Sequence, residues 1–244
     1  MSMPPRAGLP KAGNARSATQ ELADRIVTAI AIGAYSPGDR LPSERDLAER
    51  QQVSRVTVRG ALKIVSELGL IESRRGRDGG TFVTCKRVDE VSPHTAQRTL
   101  EKELPQLEDF FDYRCLVEGL VAKTAAERHD AAQARRLSEL LKQFCETSDA
   151  SIAREIDEQL HDCIMEMAGN DHLAEQSRQL TARATLGFGS EPYPEESLPR
   201  ARKEHQELVK AILDRREDDA FRAAQHHFTL TLAIMEHSLD GRPL

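Results

Sequence analysis

Four residues in the C-terminal half have the types and spacing of a metal site. Asp157 and His161 stand four apart, so a helix carries both on one face. His205 follows 44 residues later in Glu204-His205-x-x-Leu208-Val209-x-x-Ile212, and His227 another 22 on, between Ala220, Ala223 and Ala224 and the pair Leu230 and Ile234. Both lie on apolar stripes of helical period, which turn them toward a core. A single inward histidine is usually a hydrogen-bonded core residue. Three with a carboxylate suit a first-row divalent cation. Arg114 lies on a further stripe with Leu107, Phe110, Val117 and Val121, so its guanidinium points among apolar residues. A buried guanidinium needs an anion. Glu118, one turn on, and the carboxylate of a bound small molecule are the two candidates.

A second constellation is basic. Arg55 and Arg59 share one helix face, one turn apart, and arginine can read guanine or clamp phosphate with paired hydrogen bonds. Ser54 and Thr57 place hydroxyls at the N-terminus of the same helix, where backbone N–H groups favour phosphate. Arg45, one helix earlier, is placed for a base or backbone contact. Arg74-Arg75-Gly76-Arg77 could reach a minor groove, with Gly76 allowing close approach. Between 50 and 77 there are seven Lys/Arg and two acids. The chain of 244 residues carries a net charge of −6, but 17–86 is +2 and 87–244 is −11. A basic reader within an acidic chain fits nucleic-acid binding better than the total suggests.

The elements follow from capping and periodicity. Ser17-x-x-Gln20 opens a first helix carrying Leu22, Ile26 and Ile30, which Gly33 stops. Ser43, with Asp46 three on, caps a short helix to about Arg50; Ser54 caps another to Leu68, with Val58, Leu62 and Val65 on one face and Gly69 after it. Leu70 to Arg74 and Thr81 to Thr84 read as strands around RGRDGG. Three helices and a hairpin give a winged helix-turn-helix over 17–86. The polar stretch 87–104, with a proline, reads as a linker. Residues 105–238 read as an all-α bundle of about six helices, between a Pro/Gly-rich tail at 1–16 and a short tail at 239–244. The fold class is mainly α.

Cys85, Cys115, Cys145 and Cys163 form no CxxC pair, against both a disulfide framework and a cysteine zinc site. No apolar run approaches the roughly 18 residues of a membrane span, and the N-terminus lacks a signal-peptide core. A cytoplasmic setting without membrane partners is expected.

Residues 33–83 resemble the GntR family of bacterial regulators. The diagnostic parts are Pro37-Gly38, Leu41-Pro42-Ser43-Glu44-Arg45-Asp46-Leu47-Ala48 and Val53-Ser54-Arg55-x-Thr57-Val58-Arg59-x-Ala61-Leu62. The resemblance gives Arg45, Ser54, Arg55, Thr57, Arg59 and the wing residue Gly76 the operator-contacting roles, and the wing-tip reading adds Arg75 to them. Val56, where the family usually has a small or polar residue, could meet a thymine methyl. Gly60 replaces a common Glu, at about 1 kcal/mol of helix stability relative to Ala. Residues 105–238 more loosely resemble the FCD domain of the FadR subfamily, through Asp157-x3-His161, the spacings to His205 and His227, and Met167-Ala168-Gly169-Asn170. That resemblance implies a divalent metal, zinc or nickel, on Asp157, His161, His205 and His227, and an effector acid held by the metal and Arg114. It implies a homodimer on a pseudo-palindromic double-stranded operator, acting as a metabolite-controlled repressor. Two other readings are a metal-dependent enzyme acting on a small carboxylate and an architectural DNA binder with a structural metal.

Overall fold

The computed structural model describes residues 17–76, 79–84, 94–189 and 191–240. The N-terminal tail, Arg77, Cys85 and the first part of the expected linker lie outside them.

Helices α1 (Ala18–Ala31), α2 (Glu44–Arg50) and α3 (Arg55–Glu67) are each opened by the serine the sequence nominates. Ser17 accepts from Gln20 N at 3.3 Å, Ser43 from Asp46 N at 3.2 Å and Ser54 from Thr57 N at 3.1 Å. Each satisfies one N–H that the helix cannot bond internally. At Ser17 the reciprocal half of the box is missing, because Gln20 Nε2 donates to Asp24 instead. Strands β1 (Ile71–Arg74) and β2 (Gly80–Val83) pair antiparallel, Ile71 opposite Val83 and Arg74 opposite Gly80. Leu22, Ile26, Leu47, Val58, Val65 and Leu70 close the core beneath them. Gly60 is where α3 meets α1, since a Cβ there would stand 2.7 Å from Thr19 Cγ2. The missing side chain therefore permits a close helix approach as well as lowering propensity.

The expected linker is helical from Thr95. Helix α4 (Thr95–Glu103) buries Thr99 and Leu100 and packs against α1, with Arg25 and Glu103 paired at 3.6 Å. After a 3-10 turn at Leu104–Gln106 come α5 (Glu108–Arg128), α6 (Ala131–Glu146), α7 (Ala150–Ala168), α8 (Asp171–Ala184), α9 (Leu198–Leu213), α10 (Glu217–His227) and α11 (Leu230–Asp240). Among the described residues that is seven α-helices where the sequence suggests about six; the divisions at Asp214–Arg216 and at Phe228 come without a glycine or proline to announce them. Asp130 caps α6 in a full capping box, and Asn170 caps α8 after Gly169 ends α7 at φ +58°. Central α5 packs on α7, α8, α9 and α10. Gly119 permits its contact with α10, a Cβ there falling 2.8 Å from the Phe221 ring.

Candidate functional site

Helix α7 carries Asp157 and His161 one turn apart, α9 carries His205 and α10 carries His227. One ligating atom from each lies within 4.8 Å of the others. Asp157 Oδ1 is 2.9 Å from His205 Nε2 and 3.4 Å from His161 Nε2, and His161 Nε2 is 3.3 Å from His227 Nε2. Asp157, His205 and His227 are buried, while His161 is partly open. Neighbours set which nitrogens face inward. His205 Nδ1 lies 2.8 Å from Ala201 O, and His227 Nδ1 lies 3.2 Å from Glu204 Oε2, a carboxylate held by Arg200 at 2.7 Å. Nδ1–H donation to these oxygens turns each Nε2 lone pair toward the cluster, the usual orienting device of a metal-binding imidazole.

The electrostatics agree with a cation site. Burial works to raise the Asp157 carboxyl, but His161 and His205 hold it well below the usual carboxylate range. Burial and the neighbouring His205 push His227 down to about 3, against the pull of Glu204, so its imidazole is neutral. His205 Nε2, despite its 2.9 Å approach to Asp157, is out of line and has no hydrogen-bond partner among the described residues. An orphaned buried nitrogen beside an ionised carboxylate and two further imidazoles fits a divalent metal.

Asp157 and His161 line a cavity of about 550 Å³. Its opposite wall comes from the winged domain, with Tyr35, Asp39, Arg40 and Arg50. The domains are joined around it by directed contacts. Arg154, one turn before Asp157 on α7, pairs with Asp39 and donates to Gly33 O at 3.2 Å and Ser36 Oγ at 3.1 Å. Arg50 donates to Phe188 O at 2.6 Å and Gln51 to Leu186 O at 3.0 Å. Tyr35 meets the Phe188 ring edge-on at 5.8 Å.

Arg114 is fully buried, as its stripe implies, and the side chain that pairs with it is Glu191 rather than Glu118. Its Nη2 pairs with Glu191 Oε1, which follows α8 in a segment the sequence marks only as a helix break. The guanidinium also donates to Thr181 and Thr231 at 3.3 Å and lies 4.7 Å over the Phe228 ring. Glu118 instead accepts from Ser177 at 2.7 Å, and burial raises its carboxyl. Breaking such a buried pair from one side typically costs about 3–5 kcal/mol.

In the winged domain, Arg45, Ser54, Arg55 and Arg59 are exposed on α2 and at the start of α3, and Thr57 is half-buried. Val56 is 77% exposed, an apolar side chain held in solvent at the first turn of α3. Arg59 Nε is engaged by Glu44 at 2.7 Å and Arg45 by Asp46 at 3.3 Å, so phosphate would have to compete with these carboxylates. Arg75 and Gly76 lie exposed at the wing, Gly76 at φ +114°.

Comparison with known proteins gives both halves the same lineage. A model of the bacterial regulatory proteins of the gntR family matches residues 18–83, and a model of the FCD domain matches 109–230. This chain is a GntR-family regulator. It is 31% identical over 217 residues to the HTH-type transcriptional regulator RmpR of Mycobacterium gastri, covering 84% of this chain and 76% of that one. It is 28% identical over 210 residues to the galactonate operon transcriptional repressor of Escherichia coli, covering 82% and 91%. With LutR of Bacillus subtilis it shares 32% identity over 146 residues, 59% of this chain and 65% of that one. Among solved structures, E. coli McbR/YncC has the same fold, with a TM-score of 0.50 at 18% identity over 91% of this chain and 98% of that one. The GntR-family chain thus pairs a DNA-binding winged helix with an FCD domain, and its relatives are named as regulators rather than enzymes. Four groups at its site escaped the sequence reading: Arg154, Glu191, Tyr193, whose hydroxyl donates to Asp157 Oδ1 at 2.7 Å, and Glu204. Only Glu204 left a trace, as the neighbour of His205.

Proposed function

We propose that this chain is a homodimeric repressor whose operator affinity is set by a small organic acid bound beside a divalent metal. In this reading 17–86 is the DNA reader and 105–238 the effector domain. Arg45, Ser54, Arg55, Thr57, Arg59, Arg75 and Gly76 contact the operator, the start of α3 entering the major groove of a pseudo-palindromic site. Asp157, His161, His205 and His227 hold the metal, zinc or nickel, and Arg114 holds the acid's carboxylate. The metal supplies a Lewis-acid handle for an oxygen of the acid.

The observation that carries this reading is that two of the four clustered donors, Asp157 and His161, line a cavity walled by both domains. An acid there touches the helix whose Arg154 grips the turn at Gly33 and Ser36, so it can favour one seating of the winged domain over another. The polar wall, with Glu155, Glu158 and Arg178, suits a hydroxylated acid rather than a long acyl chain; the relative named for the galactonate operon is in keeping with that. Tyr113, Leu116 and Leu120 form an apolar stripe on α5, each over 40% exposed, which supports a partner subunit on that face.

The test is metal analysis of the purified chain, followed by thermal-shift screening of small carboxylates with and without zinc or nickel. A midpoint rise that needs both metal and one class of acid is expected. No shift for any acid in the metal-loaded protein would remove the sensor reading.

A further inference from the structure

Three residues separate the Arg114 guanidinium from the cavity. Thr181, Glu191 and Phe228 each touch the guanidinium and each line the cavity. Only Glu191 is charged. Its Oε1 takes Arg114 Nη2 and its Oε2 takes the Thr231 hydroxyl at 2.6 Å, so one carboxylate occupies both donors. A carboxylate arriving from the cavity meets Glu191 before it meets Arg114.

The residues that follow Glu191 are mechanically coupled to the DNA reader. Pro192 and Pro194 fix φ on either side of Tyr193, which makes a short, stiff arm. Tyr193 N–H donates to Gly33 O at 3.3 Å, and Pro194 lies so close to Gly33 that a Cβ there would fall 2.8 Å from Pro194 N. Gly33 directly follows the C-cap of α1, and α1 packs on α3, the helix that carries Arg55 and Arg59.

We propose that Glu191 is a built-in stand-in for the effector's carboxylate, displaced from Arg114 and Thr231 when the acid binds, and that its release moves the Pro192–Pro194 arm and with it the winged domain. This rests on the reading of Arg114 as the acid's anion handle. Glu191 then sets both the threshold concentration of the acid and its charge requirement. A neutral amide of the same shape cannot replace it on a buried guanidinium.

The test uses the full-length metal-loaded chain with sodium acetate as the probe, and acetamide and sodium chloride as controls at matched ionic strength. Acetate affinity is read from the thermal midpoint and operator affinity from fluorescence anisotropy, for wild type, Glu191→Ala and Arg114→Met/Glu191→Ala. Acetate should bind Glu191→Ala at least about tenfold more tightly than wild type, the order a lost charged competitor allows. It should not raise the midpoint of the double variant, and acetamide should raise none. Without acetate, Glu191→Ala should shift the operator Kd by about fivefold or more, the lower range of allosteric coupling. Saturating acetate should recover its midpoint but not its operator Kd, because free acetate neutralises Arg114 without tethering the arm. Glu191→Gln keeps the shape and removes the charge. Should Glu191→Ala fail to fold, it gives the same readings with smaller shifts.

An unchanged operator Kd in the variant, or one that acetate restores, would make Glu191 a structural counter-ion and overturn the proposal. Arg114-dependent acetate binding that is equally tight in wild type and Glu191→Ala would overturn the displacement while leaving Arg114 as the acid's handle. No acetate binding to either protein would remove that handle, and the effector reading with it.

Discussion

Tyr193 donates its phenol hydrogen to Asp157 Oδ1 at 2.7 Å, while its own backbone N–H reaches Gly33 O at 3.3 Å. One residue therefore touches a candidate metal ligand and the end of the first DNA-domain helix. Burial, with Asp157 beside it, pushes its phenol well above the ordinary range, so it stays a donor. Tyr193 thus spans the donor cluster and the turn that follows α1, its hydroxyl at one and its backbone N–H at the other.

Removing that hydroxyl should loosen the metal. Tyr193→Phe keeps the ring contact with Phe144, 5.9 Å between centroids, and deletes only the hydrogen bond to Asp157. Metal affinity, measured by competition with a chromogenic chelator, should fall by roughly tenfold, the lower end for an outer-shell partner. Stability of the metal-free protein should change by about 1 kcal/mol. An unchanged metal affinity would detach Tyr193 from the site.

Gly33 and Gly38 make a matched pair. Both have positive φ, +81° and +96°, but a Cβ at Gly33 meets Pro194 N at 2.8 Å whereas one at Gly38 meets nothing within 4 Å. Gly38→Ala should cost about 1 kcal/mol from backbone strain alone, and Gly33→Ala clearly more. Urea unfolding of the two variants checks the order. Equal losses would mean that the Pro194 contact contributes nothing.

Gly60→Ala should not stabilise the chain, although Ala exceeds Gly in a helix by about 1 kcal/mol. The added methyl would stand 2.7 Å from Thr19 Cγ2. Thr19→Ser removes that methyl and keeps the hydroxyl, so Thr19→Ser/Gly60→Ala should melt above Gly60→Ala. A single variant more stable than wild type would show that α1 and α3 can part without loss.

Arg55→Ala and Arg59→Ala should each weaken operator binding. A base-reading arginine is worth about 1–3 kcal/mol and relaxes preference at one base pair; a phosphate contact weakens all sequences alike and lowers the salt slope by about one. Binding curves at several salt concentrations separate the two roles. Glu44→Gln, which frees Arg59 from its 2.7 Å partner, should strengthen binding.

The sequence was most informative where chemistry is local. The three serine caps act within three residues, and the expected wing strands differ from β1 by one residue at its start and from β2 by one residue at each end. The donor cluster was also legible, because Asp157 and His161 share a turn and His205 and His227 sit on marked apolar stripes. Helix α4 was not, since only Thr99 and Leu100 of its nine residues are buried and the apolar signal is too sparse. The partner of Arg114 was beyond reach, because Glu191 lies 77 residues away in an irregular segment. Arg154 finds Asp39 across 115 residues. No periodicity encodes such pairings; they exist only once the helices have assembled.

The central claim, that acid and metal together set operator affinity, is tested most directly by operator titrations under four conditions: metal-loaded or chelator-stripped protein, each with and without the acid that the thermal screen identifies. The account predicts that the acid changes the operator Kd of the loaded wild type by about 5- to 150-fold, the usual span of allosteric coupling, and leaves the stripped protein and His205→Ala unmoved. An acid that binds the loaded protein yet leaves its operator Kd unchanged, or a shift that survives in both the stripped protein and His205→Ala, would contradict it.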